Sequence, residues 1–160
     1  MTRGAAAAVS LRVANAADAL CIGVLATQVF LETYAPDGIR PTLAREVLDH
    51  CATAAIAARL GDPATTFVVA EASGHMVGFA QLTRGATHTL VPPGSTMELD
   101  RLYVLARFNG RGIGTLLLRH AEDLAARHGA STLWLTAWVG NDHALAFYGR
   151  RGYQDVGATM

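Results

Sequence analysis

Residues Leu102–Gly129 read LYVLARFNGRGIGTLLLRHAEDLAARHG: an apolar run, glycines at 110, 112 and 114, then a helical pattern to about His128. A strand that turns into a helix presents consecutive backbone N–H groups with no partner inside the helix. Together with the helix dipole they attract an anion, typically a phosphate or pyrophosphate. Glycine lets the chain adopt positive φ at such a turn and lets the anion touch the main chain. Arg107 and Arg111 add charged donors beside it. The nucleotide P-loop pattern fails for want of Lys-Ser/Thr after Gly114. The dinucleotide pattern GxGxxG fails too, because Thr115 and Leu117 stand where its third glycine belongs. By itself the stretch also reads as a tight loop with no ligand.

Outward from this junction the patterns alternate. Val9–Val13 predicts a short strand, and Asp18 is the expected N-cap of a helix to about Thr33, with Leu20, Val24, Ala26, Val29 and Phe30 as its apolar stripe. Tyr34–Gly38 (YAPDG) is a turn by composition, and Pro41 opens a second helix to about Leu60. TTFVVAEA and HMVGFAQLT, joined by Ser73-Gly74, predict a hairpin, and THTLVPPGST a loop, since paired prolines do not fit a sheet. Met97–Leu105 and Ser131–Trp138 predict strands, residues 141–151 a short helix with Asn141 near its start, and GYQDVGATM (152–160) a last strand. With residues 1–8 as a frayed tail, the chain reads as one α/β domain over 1–160, its helices covering a sheet.

Composition narrows the function. Of 160 residues, 51% are hydrophobic and 16% charged, which favours a packed core over disorder. Basic and acidic residues balance at 13 each, so neither nucleic acid nor a membrane surface is an expected partner. No apolar run nears the roughly 18 residues of a spanning helix. Arg12 interrupts the faintly signal-like start, and a cytoplasmic location is expected. Cys21 and Cys51 lack metal or redox spacing and read as reduced, while the six histidines are scattered; no metal is expected.

The segment from Arg107 to Gly114 (RFNGRGIG) resembles the acyl-CoA signature of the GNAT N-acetyltransferase superfamily, Q/R-x-x-G-x-G-x-G/A. MELDRLYVLARF resembles the fourth strand of that fold, and NDHALAFYGRRGY its N-x-x-A-x-x-F-Y-x-x-x-G-F/Y segment. FLETYAPDGIRPTLAREVL, and LWLTAW with GYQDVG, are similar to the PaiA-like polyamine acetyltransferases, one branch of the family. The resemblance implies a central mixed, mostly antiparallel β-sheet flanked by helices, with splayed fourth and fifth strands. It implies acetyl-CoA as cosubstrate. The pantetheine arm would pair with the main chain of Leu102, Tyr103, Val104 and Leu105, and the pyrophosphate would lie on the N–H groups of Asn109, Gly110, Arg111, Gly112, Ile113, Gly114 and Thr115.

Asn141 matches a family residue that hydrogen-bonds the CoA arm, and alone reads as a helix N-cap. Tyr148 matches the tyrosine that protonates the departing thiolate; alone it reads as a core aromatic with its hydroxyl at the rim. Glu98 matches a position that serves as base in several members, and Asp100 shares its face by the two-residue period unless a bulge intervenes. The two acids also read as a solvent-facing pair, or as an attraction for a cationic substrate. Tyr34 and Asp37 resemble the region that forms the acceptor pocket, or are a plain turn. Trp134 and Trp138 read as packing residues.

The implied reaction is direct attack by a small-molecule primary amine, a polyamine leading, with the oxyanion on main-chain N–H near Val104 or Leu105. The alternatives are acetylation of a protein N-terminus or amino acid, and a non-catalytic acyl-CoA-binding regulatory domain. The family usually carries one more strand after the GYQDVG region. Without it, either the last strand shifts inward, a partner chain fills the gap, or the C-terminus is incomplete. An unfilled sheet edge invites association, which makes a homodimer the expected assembly.

Overall fold

In the computed structural model, which describes residues 8–159, the hairpin expected at Ser73-Gly74 forms the middle of the sheet. β2 (Thr65–Ala72) and β3 (His75–Arg84) pair antiparallel across a turn whose central residues have φ of 52° and 76°. Positive φ at both positions gives the turn whose twist matches that of its strands. β1 (Val9–Val13) pairs antiparallel with β2, β4 (Thr96–Val104) antiparallel with β3, and β5 (Thr132–Trp134) parallel with β4. The order is β1-β2-β3-β4-β5, a mixed and mostly antiparallel sheet as expected. Apart from Ala8, the expected frayed tail lies outside the described residues.

One face of the sheet carries α4 (Ile113–Arg127), which buries Ile113, Leu117, Leu118, Ala121 and Ala125 against Val68, Ala80, Leu82, Met97 and Leu99. Each fully buried leucine there stabilises the fold by about 1.5–3 kcal/mol relative to exposure. α5 (Asp142–Arg150) joins this face through Phe147 and Tyr148. The opposite face, over Phe67, Val69 and Phe79, is covered by α1 (Ala19–Tyr34), α2 (Pro41–Cys51) and α3 (Thr53–Leu60).

Several expectations need correction. α1 buries Ala19, Ile22, Leu25 and Ala26, whereas Leu20 and Val24 of the expected stripe point outward. The helix is apolar on nearly every side, so periodicity cannot choose a face; contact with Phe79, Ile56 and Cys51 does. For the same reason Ala16–Tyr34, with a mean hydropathy of 1.4, is long and apolar enough to cross a membrane by length and composition, contrary to the sequence reading. In this fold it packs on the sheet.

Asp18 stands at the N-cap position of α1 as expected, but its side chain does not cap the helix. Its carboxylate takes two 2.8 Å hydrogen bonds from Arg12 and one of 2.8 Å from the Asn15 N–H, and the Arg12 contact holds it below the usual carboxylate range. The single helix expected from Pro41 to Leu60 is broken at Ala52, whose ψ is 148°. Arg101 from β4 donates to the His50 carbonyl at 2.8 Å, satisfying a group near the end of α2 from outside.

The strand expected over Ser131–Trp138 shrinks to Thr132–Trp134, and residues 152–159 form no strand. There the backbone closes α5 instead: the N–H groups of Arg151 and Tyr153 both donate to the Tyr148 carbonyl, at 3.0 and 3.1 Å.

Candidate active site

β5 leaves β4 after Glu98↔Trp134, so among the described residues no strand pairs with the rest of β4 on that side, and the expected splay is present. Successive residues of a strand turn their N–H and C=O groups to opposite edges. The Leu105 N–H donates to the Val77 carbonyl at 3.0 Å, which engages it with β3. Val104 and Leu102 therefore turn their main chains to the gap. Of the two amides considered for an oxyanion, only that of Val104 faces it.

The gap opens into a cleft of about 550 Å³. Leu102, Tyr103 and Val104 form its floor, and Val29, Glu32, Thr33 and Tyr34 from the end of α1 form one wall. The glycine loop and α5 form the other. Gly110 and Gly112 have φ of 77° and 81°, and Gly112 is the N-cap of α4. Gly114 is already helical; a Cβ there would lie 3.3 Å from the Phe147 ring. Two glycines thus turn the chain and the third admits α5. The first intrahelical bond runs from Leu116 N–H to the Gly112 carbonyl at 3.0 Å, leaving the N–H groups of Ile113, Gly114 and Thr115 free of partners within the helix.

Asn109, Gly110, Gly112, Ile113, Gly114 and Thr115 line the cleft, but Arg107 and Arg111 do not; the Arg111 guanidinium lies over the Phe108 ring at 5.0 Å. The lining arginines are Arg150 and Arg151, which sequence reasoning missed. Arg151 donates to the Thr115 hydroxyl at 3.1 and 2.6 Å and to the Phe147 carbonyl at 2.8 Å, with its guanidinium 3.7 Å from the Phe147 ring centre. No local pattern announces a contact 36 residues apart in sequence.

Asn141 caps α5 as expected, its Oδ1 accepting from the Ala144 N–H at 3.1 Å. That leaves its amide NH₂ for a ligand in the cleft it lines. Tyr148 lines the same cleft, packed edge-on between Phe147 and Tyr153 at ring distances of 5.1 and 5.6 Å. Burial, and then Tyr153, push its phenol well above the ordinary value. Burial likewise pushes Tyr103 up to about 12.

Of the expected acceptor residues, Tyr34 lines the cleft while Asp37, Glu98 and Asp100 do not. The pairing register shifts between Gln81↔Arg101 and Leu82↔Leu99, so Asp100 is the extra residue of a β-bulge. The bulge reverses the alternation, and Glu98 shares a face with Tyr103 rather than with Val104. Asp100 accepts from the Thr83 hydroxyl at 2.7 Å. Glu98 is half-buried; burial, then the charge of Asp100, raise it to about 7, with Arg59 opposing.

Glu32 and Trp138 also belong to the lining. Val29, Glu32 and Thr33 share a helical face at i, i+3 and i+4, but only the packing of α1 on the sheet turns that face to the cleft. Neither cysteine lines the cleft, and among the described residues no three His, Cys, Asp or Glu side chains gather as a metal site.

Comparisons with known proteins bear on the family and the fold. The family model described as Acetyltransferase (GNAT) family matches residues 29–153. The chain is 34% identical over 92 residues to streptothricin acetyltransferase of Streptomyces lavendulae, covering 58% of this chain and 46% of that protein. To the N-alpha-acetyltransferase RimI of Mycobacterium tuberculosis it is 35% identical over 105 residues, 65% of this chain and 61% of that one. The chain therefore spans less than two thirds of the length of either relative. The crystal structure of the PaiA N-acetyltransferase from Thermoplasma acidophilum in complex with coenzyme A superposes with a TM-score of 0.78 at 19% identity, covering 92% of this chain and 90% of that one.

Proposed function

This chain belongs to the acetyltransferase (GNAT) family, and on that premise we propose that its cleft transfers an acetyl group from acetyl-CoA directly to a primary amine of a small molecule, with a polyamine as the finer reading. The observation that carries this is the meeting, in one cleft, of the free main chain at Val104, the open N-terminus of α4 and the Tyr148 phenol.

In this reading residues 1–160 act as one unit. The pantetheine arm runs along Leu102–Leu105, pairing with the groups that Leu102 and Val104 turn to the gap. The pyrophosphate rests on the N–H groups of residues 109–115, with Thr115 and Arg151 beside it and Arg107 and Arg111 adding charge from further out. Asn141 donates its amide to the arm. The Val104 N–H stabilises the oxyanion. Tyr148, kept protonated by burial, donates its O–H to the departing sulfur.

The amine must lose a proton, and alkylammonium groups have ordinary values near 10. Glu98, near neutrality, suits a base in that role, reached through water since it stands outside the cleft lining; Asp100 tunes it. The edge of the sheet at β5 is the side from which we expect a second copy to associate, and a monomer in light scattering would remove that part.

A second reading, acetylation of a protein N-terminus, draws on the similarity to RimI. Free-thiol release from acetyl-CoA, measured with amines, amino acids and peptides, separates the two. Release with small amines supports the first; release with peptides alone supports the second. Binding of CoA without any release would leave only a CoA-holding domain.

A further inference from the structure

Trp138 stands beyond the end of β5 on the α1 side of the cleft, with 56% of its surface exposed. Its ring lies 6.0 Å from that of Tyr34, which packs at 4.7 Å on Phe30. The bare backbone of Gly140 supports the indole: a Cβ at that position would come within 2.5 Å of it. Contact on two sides thus sets the position of an exposed ring. Glu32 lines the same wall, and the hydrogen bond of its carboxylate, from Gln28 at 3.3 Å, comes from a neutral amide. Glu46 of α2 adds negative charge toward Tyr34. The basic residues of the lining, His143, Arg150 and Arg151, lie on or just beyond α5, on the side of the glycine loop.

The cleft is therefore divided by charge. One side suits phosphates. The other offers two aromatic faces and a carboxylate, the combination that attracts an organic cation. We propose that Glu32, Tyr34 and Trp138 bind a second, non-reacting cationic centre of the acceptor. The acceptor is then a molecule with at least two amines: one is delivered to Val104 and another ammonium is held at this wall. This rests on the acetyl-transfer reading for the reacting amine and extends it to the rest of the substrate. Linear polyamines and amino-cyclitols share the required chemistry; simple monoamines lack it.

The test compares 1,4-diaminobutane, 2-deoxystreptamine and n-butylamine as acceptors at saturating acetyl-CoA, in the wild type, Glu32→Gln and Trp138→Leu. Each diamine is also titrated into CoA-loaded protein while tryptophan fluorescence is followed. CoA binding reports that the variants are folded. We expect at least one diamine to exceed butylamine in kcat/KM by on the order of tenfold or more, mainly through KM. That ratio falls toward one in both variants, and the saturable fluorescence change is lost in Trp138→Leu. Gly140→Ala, which displaces the indole without removing it, lowers the ratio in the same direction. The better diamine tells a linear from a cyclic acceptor.

Equal use of butylamine by the wild type, or a diamine preference that survives both substitutions, overturns the proposal. Saturable fluorescence without thiol release from any amine would instead refute acetyl transfer and support the cation site. Release from butylamine with no fluorescence response to either diamine would do the reverse.

Discussion

Arg151, just past the end of α5, donates two hydrogen bonds to the hydroxyl of Thr115 in the first turn of α4, at 3.1 and 2.6 Å. The contact fastens the helix that carries Tyr148 to the helix whose N-terminus is proposed to receive the phosphates. With a third donor on the Phe147 carbonyl, two of the five guanidinium donors stay free. The Thr115 hydroxyl, as acceptor from Arg151, keeps its own proton to donate. Arg151→Gln is expected to weaken CoA binding about tenfold, near 1.4 kcal/mol, and to leave the KM for S-acetylpantetheine, which lacks the diphosphate, unchanged. Calorimetry with CoA and kinetics with the truncated thioester check this. Equal weakening of both would mean that Arg151 acts only by packing on Phe147.

Tyr148→Phe should lower kcat by about tenfold or more, roughly 1.4 kcal/mol in the barrier, with CoA affinity retained. Since burial raises the phenol above its ordinary value, Tyr148 should add no falling limb to the rate profile in the neutral range. Unchanged turnover in the variant would remove Tyr148 from the chemistry.

As the proposed base, Glu98 is expected to link pH to both rate and stability. As a base it must be ionised, so kcat/KM for a weakly basic amine should rise with pH through about 7, and Glu98→Gln should abolish that limb. For stability, the folded value of about 7 lies above the ordinary 4.5, so between the two the folded chain binds more protons than the unfolded one. Stability should therefore fall as pH rises through that window. Urea titrations at several pH values should show the fall in the wild type and a flatter curve in Glu98→Gln. A limb that persists in the variant assigns the titration elsewhere.

The glycines of the loop should fail in different ways. Gly112→Ala forces a side chain into left-handed backbone at φ 81°, at a cost of about 1–2 kcal/mol. It should weaken CoA binding by misplacing the N–H groups. Gly114→Val meets no φ restriction but presses on Phe147, so it should lower kcat through Tyr148 as well as affinity. Thermal melts with CoA titrations distinguish the two. Identical effects would contradict the separate roles.

Much of this protein is legible in its sequence because local physics decides it. The Ser73-Gly74 hairpin, the glycine turn into α4 and the Asn141 cap each depend on residues a few positions apart, and each stands where its pattern places it. The β4–β5 splay followed from family resemblance, with the same result. What tertiary structure alone decided involves distant partners. α1 is apolar on almost every side, so packing on Phe79 and Ile56 chose its buried face. Arg101 satisfied the His50 carbonyl near the end of α2, where the sequence ran one helix to Leu60. The bulge at Asp100 turned Glu98 away from the face of Val104, because a strand's two-residue period holds only while its register does. Arg151, Glu32 and Trp138 entered the cleft through contacts between separate elements, and spacing along the chain carries no record of which elements will meet.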